Sequence, residues 1–150
     1  MDLEGIEYDF DAPGSDWNYE PSRADLFRQI PAALYTTDAE GWITYYNDAA
    51  AELWGYRPVL GNARWCGSWR IYRADGTPVS HEESMMAVAL KEGRAVRGVQ
   101  AVLERPDGTR VPFMPYPTPL RDSRGELVAG SNILLELTNT AGCALDQSAA

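Results

Sequence analysis

Apolar residues alternate with polar ones in some stretches of the chain and recur at helical spacing in others. Those two periods divide the sequence into elements. Ser22-Arg23-Ala24-Asp25 has the form of a capping box, a hydroxyl with an acid three residues on. It opens a short helix carrying Leu26, Phe27 and Ile30, which Pro31 ends. Residues 33–37 and 42–46 are rich in strand formers and flank Asp38-Ala39-Glu40-Gly41, a hairpin turn. Asn47 then caps an alanine-rich helix from Asp48 to Trp54, closed by Gly55. Residues 57–80 show no clear period and read as loop with a helical turn.

A longer helix is predicted over residues 81–92, with Ser80 and Glu83 as its capping box and Gly93 as its stop. Met85, Val88 and Ala89 share its apolar face with Met86 and Leu90. Three strands follow, at 96–104, 110–120 and 127–137, joined by Arg105-Pro106-Asp107-Gly108 and Asp122-Ser123-Arg124-Gly125 turns. The strand at 110–120 conflicts with its own composition. Pro112, Pro115, Pro117 and Pro119 each remove a ladder donor, so a bulge or shortening from about residue 115 is expected. Antiparallel hairpins around a helical middle describe an α+β domain, its helices on one sheet face and a cavity between the layers.

Composition narrows the function. At 150 residues and 45% hydrophobic, the chain has room for one core. Its domain reading is an acidic, aromatic-containing tail over 1–21, one domain over 22–138 and a small polar tail over 139–150. The net charge of -9 sits mainly in the head, where residues 1–25 hold eight acids against one base. That head repels nucleic acid, and no basic patch with interleaved aromatics appears elsewhere. No apolar run is long enough to span a membrane, and the start is acidic where a signal peptide is basic. Cys66 and Cys143 form neither a metal pattern nor a disulfide framework, so a reducing cytoplasm is expected.

The run Leu34-Tyr35-Thr36-Thr37-Asp38-Ala39-Glu40-Gly41-Trp42-Ile43-Thr44-Tyr45-Tyr46-Asn47 resembles the PAS family: strand, Asp-x-x-Gly turn, strand, then an Asn opening a helix. Glu52-Leu53-Trp54-Gly55-Tyr56 resembles the end of that helix, and residues 110–137, with Asp122 and Gly125, the last two PAS strands. The resemblance covers roughly residues 24–138. It implies a five-stranded antiparallel sheet with short helices on one face and an N-terminal flanking helix. Trp65-Cys66-Gly67-Ser68-Trp69-Arg70, Asp75-Gly76-Thr77-Pro78 and Pro115-Tyr116-Pro117-Thr118-Pro119-Leu120 look like bacterial sensor modules that accompany histidine kinases of two-component systems. The implied role is signal sensing, with output through contacts with another protein such as a histidine kinase or response regulator. A homodimer is the expected assembly.

The same resemblance raises two cofactors. Haem-binding relatives use an axial histidine in the longer helix, whereas His81 falls at the first helical position, where side chains face solvent. Flavin-binding LOV relatives use a cysteine in Gly-x-Asn-Cys-Arg-Phe. Here Gly61-Asn62-Ala63-Arg64-Trp65-Cys66 puts alanine near the reactive place. Neither haem nor flavin is expected, and Cys66 reads as a packed or loop thiol. Anchoring of another chromophore at Cys66, as in photoactive yellow protein, finds no other support in the sequence. No nucleophile, base and orienting acid occur together, and Glu82 and Glu83 are explained as acids of a first helical turn. Catalysis is therefore not expected, with a small α+β enzyme as the weakest alternative.

The candidate site is an apolar pocket. Its bulky walls are Trp54, Trp65, Trp69, Met85 and Met86, with Leu90, Phe113 and Tyr116 completing them. Tyr35 and Asn132 are candidates for its polar groups. The competing reading is that the same residues fill a core and the protein is an interaction module. Its dimer or partner surface would then be the helix face of Leu26, Phe27 and Ile30.

Overall fold

The computed structural model describes Ser22, Asp25 and residues 31–137. Within residues 31–137 the chain forms seven strands, two α-helices and one 3-10 turn. Strands β1 (Ala33–Asp38) and β2 (Ile43–Tyr46) make the first hairpin, followed by helix α1 (Asp48–Trp54). Strands β3 (Arg70–Arg73) and β4 (Pro78–Val79) precede a 3-10 turn, His81–Glu83, and helix α2 (Met85–Glu92). Strands β5 (Ala101–Glu104), β6 (Arg110–Arg121) and β7 (Leu127–Glu136) complete one antiparallel sheet of order β2-β1-β7-β6-β5-β3-β4.

The α+β class agrees with the sequence, while the strand count is seven where five were expected. The extra pair, β3 and β4, lies in the stretch read as loop. Two to four residues leave too few alternations to show a period, and the turn chemistry carries the hairpin: Asp75 Oδ1 accepts the Thr77 N–H at 2.9 Å. The strand expected over 96–104 begins only at Ala101, after Gly98 at φ +78°. The long helix is also divided. Ser84 is extended at ψ 164°, and its hydroxyl accepts the Ala87 N–H, so Ser84 caps α2 while Ser80 makes no side-chain cap.

The proline-rich strand is continuous, and the geometry explains why. β5 pairs with β6 only from Arg110 to Phe113, whereas β7 follows it from Phe113 to Arg121. Pro117 turns its backbone away from β7, since its carbonyl accepts the Val96 N–H and an Arg97 guanidinium N–H. Pro115 and Pro119 share that direction by the period of two. Their missing N–H groups therefore fall on the side that β5 has already left, and the ladder to β7 loses none of them.

Local chemistry fixes the start of the fold. The buried Asn47 amide accepts the Leu34 and Ala50 N–H groups and donates to Ala32 O, tying β1 to the first turn of α1. Gly55 closes α1 in the left-handed region, its N–H bonded to Ala51 O. The core lies between the inner sheet face and the helices. Trp54, Leu103, Met86 and Ala87 are at its centre. Near the N-terminus, Ser22 Oγ accepts the Asp25 N–H at 3.1 Å, the N-cap half of the expected capping box. Leu26, Phe27 and Ile30 lie outside the described residues.

Candidate functional site

The sheet and α2 enclose a cavity of about 120 Å³. Alternation along β1, β6 and β7 aims Tyr35, Phe113, Pro115, Asn132 and Leu134 inward from one side. Met85, Met86 and Ser84 close it from α2 and its cap, while Ile71 and Val79 come from the short hairpin. The mouth passes between Arg73, Val99 and Gln100. The walls are apolar, and the polar end is built from two buried side chains.

Those two are Tyr35 and Asn132. The Tyr35 hydroxyl donates to Trp65 O at 2.8 Å and accepts from Asn132 Nδ2 at 3.1 Å. Asn132 Oδ1 in turn accepts the Tyr116 N–H at 2.9 Å. A backbone N–H only donates, so this last bond fixes which end of the amide is oxygen. Burial is the main reason the Tyr35 phenol ionises well above its ordinary value, helped by nearby Cys66 and opposed by the Asn132 bond. It is a neutral hydroxyl at any physiological pH.

Trp65 connects the cavity to the surface. Its φ is +71°, and the Cys66 N–H bonds back to Arg64 O at 2.8 Å, so Arg64-Trp65-Cys66 is a γ-turn of the strained, positive-φ kind. The indole lies over Gly41, where an added Cβ would come within 2.3 Å of the ring. On its faces sit two cations, Arg64 at 4.5 Å and Lys91 at 5.0 Å from the ring centre. Arg64 also stands over the half-exposed Trp42 at 5.1 Å. Cys66, the third residue of the turn, is part of the cavity wall.

The Cys66 thiol is held between Ser68 groups, donating to Ser68 Oγ at 3.2 Å and accepting the Ser68 N–H at 3.4 Å. Burial raises its pKa more than these bonds lower it, so it is a thiol and a weak nucleophile at neutral pH. His81 does not face solvent freely, because its Nε2 lies 2.8 Å from Ser68 O.

Of the residues expected to form the pocket, Tyr35, Met85, Met86, Phe113 and Asn132 line the cavity. Trp54 and Leu90 are packed in the core instead. Trp54 is fully buried, edge-on to Tyr35 and Tyr46 at 5.4 and 5.5 Å. Its Nε1 has no partner among the described residues, against the rule that a buried indole finds one. Trp65 does not line the cavity; it is packed in the core, and its carbonyl accepts the Tyr35 hydroxyl. Trp69 is 46% exposed and meets Tyr56 edge-on at 5.7 Å, and Tyr116 points to the outer sheet face beneath Arg97. Both lie outside the cavity, since bulk marks an apolar residue without saying which way the strand, for Tyr116, or the loop before β3, for Trp69, turns it. Sequence reasoning passed over Ile71, Val79, Ala101 and Leu134 as wall residues. The alternation of Leu103 and Ala101 with outward neighbours was the signal available for the β5 face.

The volume limits what enters. An apolar cavity of about 150 Å³ accepts benzene, and this one is smaller, at about 120 Å³. Among the described residues no group of three or more His, Cys, Asp or Glu side chains could hold a metal ion, and no helix is long and apolar enough to cross a membrane.

Comparison with known proteins follows the geometry. Residues 24–84 match the family model described as PAS domain. No curated protein matches the chain significantly. Among solved structures, the PAS domain of a protein from Colwellia psychrerythraea superposes with TM-score 0.53 at 21% identity, over 78% of this chain and 95% of that one. The PAS domain of the fruit-fly ELK potassium channel gives 0.55 at 12% identity, over 77% and 94%. The LOV domain of a blue-light activated histidine kinase from Erythrobacter litoralis gives 0.53 at 19%, over 73% and 98%. Identities this low establish a shared fold and no shared ligand.

Proposed function

We propose that this chain, which matches the PAS domain model over residues 24–84 and shares the fold of solved PAS domains, senses a small molecule in the cavity and relays its presence through the Arg64-Trp65-Cys66 turn. PAS domains are generally sensory, non-catalytic modules. The observation that carries the reading is the Tyr35 hydroxyl, bonded on one side to cavity-lining Asn132 and on the other to the carbonyl of the strained Trp65. A residue held at such a φ costs on the order of 1–3 kcal/mol, so an alternative turn lies within reach of a ligand's differential affinity. Because Cys66 belongs to both wall and turn, a ligand pressing on the wall biases the turn. Arg64, Trp42 and Lys91 then change what the surface offers a partner.

The partner proposed is a protein of a two-component pathway, a histidine kinase or response regulator, in the cytoplasm. One structural neighbour is itself a domain of a histidine kinase. The proposed domain spans 22–138, with 1–21 and 139–150 as tails. The relay is tested by recording amide spectra while phenol is added as the probe. Shifts are expected in residues 64–68 of the wild type and are expected to shrink in Tyr35→Phe, whose cavity shifts persist. If residues 64–68 stay still while the cavity fills, the relay is wrong.

One observation favours a second role. The outer sheet face leaves Ile133 and Leu135 about half exposed, at 45% and 49%. Apolar surface of this kind suits a homodimer or partner contact. A strict monomer in sedimentation, with no change on Ile133→Asp, removes that role.

A further inference from the structure

The inventory of hydrogen bonds at the polar end of the cavity says more than that a ligand fits. Resting on the ligand-site reading above, we propose the chemical class of that ligand: a small neutral molecule with a ring or branched hydrocarbon body and one hydrogen-bond acceptor. Size comes first. The cavity, at about 120 Å³, is somewhat smaller than one of about 150 Å³ that takes benzene. A body of roughly six or seven non-hydrogen atoms fills it on that comparison, and Ile71, Met86, Phe113 and Leu134 supply its apolar contacts.

Polarity comes next. Asn132 Oδ1 is engaged by the Tyr116 N–H, and one Nδ2 hydrogen is engaged by the Tyr35 oxygen. The Tyr35 hydrogen is engaged by Trp65 O. The Cys66 thiol is engaged by Ser68. Among these groups, the second Nδ2 hydrogen of Asn132 has no partner among the described residues, although the side chain is 3% exposed. The cavity therefore offers a donor that asks for an oxygen or nitrogen acceptor.

Charge settles the class. No ionised group faces the inner end, since burial keeps both Tyr35 and Cys66 protonated. A buried carboxylate there would have one N–H and no cation, which disfavours its charged form strongly. Arg73 stands at the mouth and is exposed, where an ion pair with a ligand is worth little. Neutral alcohols, phenols and ketones of this size satisfy all three conditions. Hydrocarbons leave the amide unanswered, and anions meet no counter-charge.

Toluene, phenol and benzoate are compared by titration of the whole protein at neutral pH, read from the amide and methyl signals of cavity residues. Toluene and phenol have the same number of heavy atoms, so their ratio isolates the acceptor. Phenol is expected to bind about threefold to tenfold more tightly than toluene, the range of one net neutral hydrogen bond. Benzoate is expected not to saturate. In Asn132→Leu the preference for phenol is expected to vanish while toluene still binds, and that binding reports that the variant is folded. Should Asn132→Leu fail to fold, the wild-type ratio alone decides. Toluene equal to or better than phenol, or benzoate tightest, overturns the class and leaves the ligand site standing. If no probe moves the cavity signals, the ligand site itself falls with it.

Discussion

Filling the cavity should stabilise the protein. Ala101 sits on β5 opposite Phe113, faces inward, and is 9% exposed. Ala101→Leu sends three more carbons into a space of about 120 Å³, worth about 2.4 kcal/mol at roughly 0.8 kcal/mol per buried methylene. Leucine gives back about 0.5–1 kcal/mol of rotamer freedom, which leaves a gain of about 1.5 kcal/mol. For a domain of this size that is about 6 °C in Tm. The assay is urea unfolding with the slope held as a check on the unfolded state, backed by a thermal scan. The reasoning fails if the variant loses about 1 kcal/mol or more, the signature of overpacking a space that is already full. The same variant should no longer take up phenol.

Three further predictions follow from single contacts. Gly67→Ala would place a Cβ 2.4 Å from the buried Trp54 ring and should cost at least about 2 kcal/mol in urea unfolding; a neutral result contradicts the packing of Trp54. Asn47→Ala removes at least three bonds from a buried amide and should cost about 2–4 kcal/mol, well beyond an exposed helix cap. Cys66 titrates higher in the fold than in the unfolded chain, so its contribution is intact below the ordinary thiol value of about 8.5 and is lost as pH rises past it toward the folded value. Unfolding free energy should therefore decline above about pH 8.5, with a shallower decline in Cys66→Ser; equal slopes in the two proteins would refute the assignment.

The legible parts of the fold were those with local chemistry. Asn47, Gly55 and the Asp38–Gly41 turn place α1 and the first hairpin, and in the structure each makes the expected bonds. Where two signals competed, spacing alone misled. Ser80 and Ser84 both precede runs of helix formers and both are extended, and only the bond from the Ala87 N–H to the Ser84 hydroxyl shows which one caps α2. The prolines of β6 could not be placed from sequence, because their effect depends on how far β5 extends beside them. Tyr35 and Asn132 were legible as polar residues in apolar strands, and the structure joins them across 97 positions of sequence. Their link to Trp65 was not legible, since a backbone carbonyl leaves no mark in the residue pattern. Trp69 and Tyr116 were chosen for bulk; strand direction turns Tyr116 outward, and Trp69 lies in the loop just before β3, 46% exposed.

The most direct measurement is a crystal structure of the protein with phenol bound. The account predicts a phenol ring between Met86 and Phe113, its oxygen in hydrogen-bond contact with Asn132 Nδ2, and Trp65 moved out of its φ of +71°. An empty cavity in crystals saturated with phenol, or a filled one with the Arg64-Trp65-Cys66 turn unchanged, would contradict it.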